Sequence, residues 1–271
     1  MIRLAFRSPA AAAEQVLGAL LELAPSGVEQ IDGDGFVEFA VYGVPGELPE
    51  FPEGSAEVGG VVVRVSGREV PDDWAERWKR FHRPILVGGR IYVRPPWEEP
   101  AVRPGVIEIV IDPGQAFGTG AHATTELCLE LMLDLGKPHG SFADLGCGSG
   151  VLAIAAAKLG YSPITAVDAE SAALQATKQN ANANAVALDR IERADLRNGP
   201  APLADVVAAN LMRPLLLQVA DQWADRRPQT LIVSGLLDHE ADEVAKAFEP
   251  LREQKRVSKQ GWSALLLVAS S

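Results

Sequence analysis

Asp144, Gly146, Gly148 and Gly150 alternate through a short stretch, FADLGCGSGVLAIAAAKLG, that begins strand-like over 141–145 and ends as an alanine-rich helix. Glycines in such a turn let backbone approach a ligand closely and sharpen the passage from strand to helix. Asp168 ends the next apolar run, ITAVDAE. An acid about 20 residues beyond the glycines is placed to take the hydroxyls of a ribose. Asp195, in RADL, follows the run after that, near where an adenine ring would lie; a plain surface acid is the alternative. Asn210 closes a fourth run, ADVVAANLMRP. In an open α/β sheet the ligand sits beyond the carboxyl ends of the strands, which puts Asn210 beside the reactive end of a nucleoside cofactor. The competing role for Asn210 is to cap a helix ahead of Pro214.

The glycine spacing bears on which cofactor. Counted from Gly146, the third glycine of a dinucleotide fingerprint falls on Val151. Counted from Gly148, GSGVLA fits the permissive form ending in alanine, but that register starts late relative to the strand. An acid directly before G-x-G-x-G is the pattern of S-adenosylmethionine enzymes. There Asp144 can lie near the cationic methionine end, and no pyrophosphate needs a helix N-terminus. NAD, or a tight turn with no ligand, are the alternatives. Methyltransferases acting on the amines of bases often follow the asparagine with Pro-Pro-aromatic. Here Asn210-Leu211-Met212-Arg213 offers the amide without the stacking ring, which points to a flexible aliphatic amine.

Positioning these groups takes a whole chain of elements. IRLAF reads as a strand, and 9–23 as a helix with Ser8 as N-cap. VEQIDGDGFVEFAVYG reads as a hairpin, and GGVVVRVSG as a further strand. Between them Pro45, Pro49 and Pro52 forbid a good helix. This gives a small α+β module over 1–67. PDDWAERWKRFHRP reads as a linker helix within 68–83, its Trp74, Trp78 and Phe81 on one face. From residue 84 onward come a hairpin (85–94), a strand (106–112), a helix (123–135) and then strands alternating with helices. That alternation predicts a doubly wound parallel sheet. The last stretch, QKRVSKQGWSALLLVAS, reads as an antiparallel edge pair turning at Gly261.

Composition excludes several classes. Net charge is −11, which makes a poor non-specific binder of phosphate backbones. Residues 1–60 hold ten acids against Arg3 and Arg7, a net −8 that suits a basic protein partner or serves solubility alone. Direct nucleic-acid binding is not expected, although 77–94 is locally basic. Cys128 and Cys147 lack metal-like spacing, the four histidines are scattered, and no metal site is expected. No apolar run reaches the ~20 residues of a membrane span. Glu14 interrupts the apolar start, so a cytoplasmic setting is expected rather than a secreted one.

Together DWAERWKRF, IDPGQAFGTGAHATTELCL, DLGCGSGVLAIAAAKLG, VDAE, VAANL and VSGLL resemble, in order from about residue 73 onward, the PrmA family, methyltransferases of large-subunit ribosomal protein L-eleven. The resemblance implies an α/β catalytic domain over 84–271 with a Rossmann-like seven-stranded methyltransferase sheet. It also implies an N-terminal ferredoxin-like substrate domain and a linker. The implied reaction is S-adenosylmethionine-dependent methylation of the α-amine and lysine ε-amines of that basic ribosomal protein, by a monomer. By motif position it assigns cofactor contacts to Thr125, Gly146, Asp168 and Asn210. The chain departs at Gln115, where a larger apolar residue is common, and at Ala123, where proline is common. The Gly-rich loop within 111–129 then reads as a lid and wall of the site: Gly118 and its neighbours fold over the cofactor, Phe117 covers it, and Thr124 and Thr125 sit at the start of the following helix. His122 is either a proton acceptor or a structural hydrogen-bonding group. The rival functions are a small-molecule or RNA methyltransferase on the same core, and a cofactor-binding assembly factor that transfers nothing.

Overall fold

The computed structural model describes residues 2–23, 28–33, 35–43, 54–69, 83–100, 104–112, 122–136, 140–223 and 226–269. The helix expected within 68–83 lies almost wholly outside these residues, as do the proline-rich 44–53 and the loop 113–121. The chain divides into two compact units, Met1–Phe81 and His82–Ser271.

In the first unit, β1 (Ile2–Pro9), β2 (Glu29–Gly33), β3 (Phe36–Gly43), β4 (Gly54–Val58) and β5 (Val61–Glu69) form one sheet. Its order is β2-β3-β1-β5-β4, with every pair antiparallel. Helix α1 (Ala13–Leu23) seats Val16 and Leu20 on Phe6, Phe39, Val63 and Val65. Two expectations need correction. Ser8 does not cap this helix: β1 continues through Pro9, a 3-10 turn fills Ala10–Ala12, and the Ser8 hydroxyl donates to the Pro9 carbonyl at 3.2 Å. Strand β4, short and mostly exposed, carries no apolar alternation and was not anticipated.

Period-two alternation in β5 sends Val63 and Val65 inward and Arg64, Ser66 and Arg68 outward. Arg7 stands opposite Arg64, and Arg3 opposite Arg68. Glu38 bridges Arg3 at 2.8 Å and Arg7 at 2.9 Å, and Glu29 lies 3.5 Å from Arg3. Burial works against the Glu38 carboxylate, but the two guanidiniums hold it below its ordinary range. The acidity of this module is therefore uneven, since two of its acids are paired with arginines on one sheet face.

The second unit opens with β6 (Ile85–Val87), β7 (Ile91–Arg94) and β8 (Ile107–Val110), a three-stranded sheet in which β8 runs parallel to β7. Helix α2 (Ala123–Asp134) follows. Then come β9 (Phe142–Leu145), α3 (Val151–Leu159), β10 (Ile164–Asp168), α4 (Ser171–Ala183), β11 (Arg190–Arg193), β12 (Val206–Asn210), α5 (Arg213–Gln222), β13 (Thr230–Leu237), α6 (Ala241–Ala247), β14 (Arg252–Lys259) and β15 (Trp262–Val268). Their strands form a mixed seven-stranded sheet in the order β11-β10-β9-β12-β13-β15-β14. All pairs from β11 to β13 are parallel, and β15 is antiparallel to both its neighbours.

Strands β9 and β12 carry almost unbroken apolar runs because both their faces are covered. One face packs under α2, α3 and the small β6-β7-β8 sheet, the other under α5 and α6. Each large side chain so buried contributes about 1.5–3 kcal/mol. The chain steps outward from β9 through β10 to β11, then returns to β12 on the opposite side. The carboxyl ends of β9 and β12 thus flank a topological switch point, where an open α/β sheet binds its ligand.

Candidate functional site

The turn after β9 has Gly146, Gly148 and Gly150 at φ of 72°, 51° and 82°. All three lie in the left-handed region that costs other residues roughly 1–2 kcal/mol. The Val167 carbonyl accepts from both Gly146 and Cys147 N–H at 2.9 Å, tying the turn to β10. A Cβ on Gly150 would sit 2.8 Å from the Thr177 methyl and 3.1 Å from its Cα, so α4 packs directly on the turn. Asp168, at the tip of β10, accepts from Gly148 N–H on Oδ2 and from Glu170 N–H on Oδ1, both at 3.0 Å. A carboxylate has about four acceptor positions. Two remain for a ligand's hydroxyls, on a partly exposed group already aimed by the loop it serves.

Asp144 has a different place. It is 1% exposed, and its Oδ2 accepts from Ala153 N–H at 3.0 Å, in the first turn of α3. That bond ties the end of β9 to the start of α3 across the glycine turn. Burial, reinforced by the nearby Asp168 charge, pushes its carboxyl up to about 7. A carboxyl raised in the folded state binds its proton there more tightly than in the unfolded chain. Its contribution to stability is therefore fully present below the ordinary carboxylate value near 4 and is lost as pH rises toward 7. Asp144→Asn, which keeps an acceptor for Ala153, should lose that dependence. Relative to wild type it should gain in Tm between pH 4 and pH 7, as thermal melts across that range would show; a parallel pair of Tm curves would mean that Asp144 stays ionised.

Asn210 and Thr125, far apart in sequence, come together: Asn210 Nδ2 donates to Thr125 Oγ1 at 3.3 Å. This leaves Asn210 Oδ1 as an acceptor at the carboxyl end of β12. The capping alternative fails, because the N-cap of α5 is Met212 and that helix has no side-chain cap. Leu211 is wedged between two glycines. A Cβ on Gly146 would reach its Cδ2 at 2.4 Å, and one on Gly235 would meet its carbonyl oxygen at 2.5 Å. Gly235 sits in a register shift of β13 with φ of 84°, which lets the backbone after Asn210 close in.

Thr125 is held from the other side by the start of α2. His122 is the N-cap: its Nδ1 accepts from Thr124 N–H at 3.4 Å and lies 2.8 Å from Thr124 Oγ1, while its ring meets Trp262 edge-on at 5.2 Å. Burial lowers its pKa, favouring the neutral ring that can accept. Of the two roles open for His122, the structure carries the structural one. Ala123 takes the first helical position, where an N–H needs no partner, so alanine and proline are interchangeable there. Lys259 to Glu126 (2.6 Å) and Lys255 to Asp134 (2.8 Å) fasten the helix to β14.

Asp195 is turned inward on its own loop. Its carboxylate accepts from Arg197 N–H, the Arg197 guanidinium and Asn198 Nδ2, all within 3.4 Å. Those bonds, the Arg197 side chain first, hold it down at about 2. Phe117 and Gly118 lie outside the described residues. Both cysteines are buried and unpaired, and among the described residues no group of acids, histidines and cysteines could hold a metal ion. Thr177, Asn180 and Asn184, which no motif flagged, are buried; the first two bond to the glycine turn and the third to β8. Their three- and four-residue spacing on one helix face was the available signal.

The family model described as Ribosomal protein L11 methyltransferase (PrmA) matches residues 57–270. A protein of that name from Caldanaerobacter subterraneus subsp. tengcongensis is 38% identical over 198 residues, covering 72% of this chain and 64% of the relative. Its namesake in Desulfitobacterium hafniense is 36% identical over 224 residues, covering 80% and 69%. The matched stretch thus spans about two thirds of these relatives. Among solved structures, a ribosomal protein L11 methylase from Lactobacillus delbrueckii subsp. bulgaricus superposes with a TM-score of 0.63 at 26% identity, covering 70% of this chain and all of that one.

Proposed function

The chain belongs to the PrmA family of ribosomal protein L11 methyltransferases, and from that premise we propose that it moves methyl groups from S-adenosylmethionine to amines of L11, the α-amine and lysine ε-amines. The observation that carries the chemistry is the Asn210 amide, held by Thr125 beside the glycine turn with its carbonyl oxygen left to accept. The direct test is transfer of radiolabelled methyl to purified L11 of the same organism, with ribosomal RNA and other ribosomal proteins as competitors. Label on RNA alone would favour the rival reading.

The residues fit the cofactor. Positive φ at Gly146 and Gly150 lets the turn close against Leu211 and Thr177, and Asp168 retains acceptor positions for ribose hydroxyls. When bound, S-adenosylmethionine supplies an electrophilic methyl on a sulfonium. A lysine amine, ordinarily with pKa ~10.4, has no lone pair while protonated. Removing it from water at the mouth of the sheet lowers that value. Asn210 Oδ1 accepts an N–H of the neutral amine and fixes its lone pair in line, so the protein contributes positioning and desolvation rather than a strong base.

Removing Asp168 should weaken the cofactor selectively. A charged hydrogen bond is worth roughly 1.5–3 kcal/mol, so Asp168→Ala should bind S-adenosylhomocysteine at least about tenfold less tightly. Asp168→Asn, which keeps an acceptor for Gly148, should fall between. Calorimetry giving wild-type affinity for a folded Asp168→Ala would remove the ribose role.

The first unit is proposed as the substrate-reading domain, ferredoxin-like in its split order of β1, β2 and β3 with β5 alongside, joined through 68–83 to a catalytic domain over 84–271. The protein works as a monomer in the cytoplasm, where L11 is made and two unpaired cysteines stay reduced. No helix among the described residues is long and apolar enough to cross a membrane.

A further inference from the structure

Among the described strands, β8 pairs with β7 alone. Toward β7, Ile107 N–H donates to the Arg90 carbonyl at 2.7 Å and Ile111 N–H to that of Arg94 at 2.9 Å. Alternate residues of a parallel strand turn their amides to opposite sides, so Val110 and Asp112 present theirs to the open edge. Buried peptide groups without partners are costly. Here two side chains of α4 supply the partners. Asn184 accepts from Val110 N–H at 2.9 Å and donates back to its carbonyl at 2.6 Å. Asn180 accepts from Asp112 N–H at 2.9 Å and reaches its carbonyl at 3.4 Å. A primary amide offers the same donor and acceptor as a peptide group. Two asparagines one helical turn apart therefore act as a two-residue strand on the edge of β8.

The two are not equivalent. Beyond β8, Asn184 donates only within its own helix, to the Asn180 carbonyl at 2.8 Å. Asn180 also donates to the Ser149 carbonyl at 2.9 Å, in the glycine turn, and one helical turn earlier Thr177 donates to the Gly148 carbonyl at 3.0 Å. Asn180 is 2% exposed, so its bonds are made away from water, where losing a donor is costly. We propose that Asn180 is a positioning residue for the cofactor: it ties the glycine turn to the end of β8, so that ligand held on the turn also steadies Asp112. The proposal rests on S-adenosylmethionine as the ligand of that turn. It deepens the reading by adding a second chain segment to the cofactor's support.

Hydrogen exchange on the full chain separates this from a merely structural role. In ligand-free protein, Asn180→Ala should speed exchange at both 146–150 and 108–112, whereas Asn184→Ala should speed it at 108–112 alone. With saturating S-adenosylhomocysteine, wild type should slow at both segments, and Asn180→Ala at 146–150 only. Its affinity for that ligand should fall about tenfold, that of Asn184→Ala by less than about twofold. Asn180→Asp keeps the acceptor for Asp112 N–H and loses the donors to Ser149 and, at 3.4 Å, to the Asp112 carbonyl, so it should speed exchange more at 146–150 than at 108–112. The coupling is wrong if Asn184→Ala loosens the turn as much as Asn180→Ala does, or if ligand still protects 108–112 in Asn180→Ala. Failure of S-adenosylhomocysteine to bind wild type would instead sink the cofactor reading, and the ligand-free comparison would still decide the coupling.

Discussion

Asn210→Ala should bind S-adenosylhomocysteine within about threefold of wild type yet methylate L11 roughly 100-fold more slowly, the size of loss that follows from misplacing a reacting group. The split follows from where the side chain is held. Asn210 Nδ2 is committed to Thr125, so the remaining oxygen faces the incoming amine, while Asp168 and the glycine turn support the cofactor from neighbouring strands. An interaction made mainly as the amine aligns appears in kcat rather than in cofactor affinity. Thr125→Val should push in the same direction by about tenfold, because it frees the Asn210 amide to turn without removing it. The double variant should then cost less than the two losses combined, as expected for one hydrogen-bonded unit. Single-turnover transfer alongside calorimetry reads both quantities. Equal loss of turnover and affinity would make Asn210 a cofactor ligand and nothing more.

The catalytic core was legible because its signals are local and physical. A buried parallel strand must be apolar throughout, a turn with positive φ selects glycine, and an acid at a strand tip is conspicuous; FADLGCGSG and ITAVDAE carry all three. Asn210 could be placed at the site from strand order, but not distinguished from a helix cap. That choice needed Thr125, 85 residues away in sequence. Asp144 and Asp195 were read by position along the chain, and position could not reveal that one is sealed behind the turn while the other bonds to its own loop. The asparagines of α4 stayed invisible for a related reason. Their partners are backbone groups of β8 and the glycine turn, and backbone leaves no mark in composition. In the first unit the charge could be counted but its arrangement could not be read, since pairing between Arg3, Arg7, Glu29 and Glu38 depends on strand register.

That arrangement shapes the second large expectation. A chain starting at His82 should bind S-adenosylhomocysteine like the full protein and lose methylation of intact L11, because Thr125, the glycine turn, Asp168 and Asn210 all lie in the second unit. Cofactor affinity is the control that the shortened chain is folded. If it methylates L11 as fast as the full chain, the first unit does not choose the substrate. The electrostatic part needs a separate test with carefully chosen positions. Reversing Glu38 would put a like charge beside the 7%-exposed Arg3 and beside Arg7, and breaking a buried pair destabilises by about 3–5 kcal/mol, confounding binding with unfolding. Exchanging Asp32 and Asp34 instead leaves the Arg3–Glu38 pair in place. If acidity attracts a basic partner, exchanging both for lysine should weaken L11 binding and flatten its decline with added salt, since exposed charges are screened within about 8–10 Å at physiological ionic strength. Binding of unchanged strength and unchanged salt dependence would assign those acids to solubility, and recognition would then rest on the arginine-bearing sheet face or on the proline-rich 44–53.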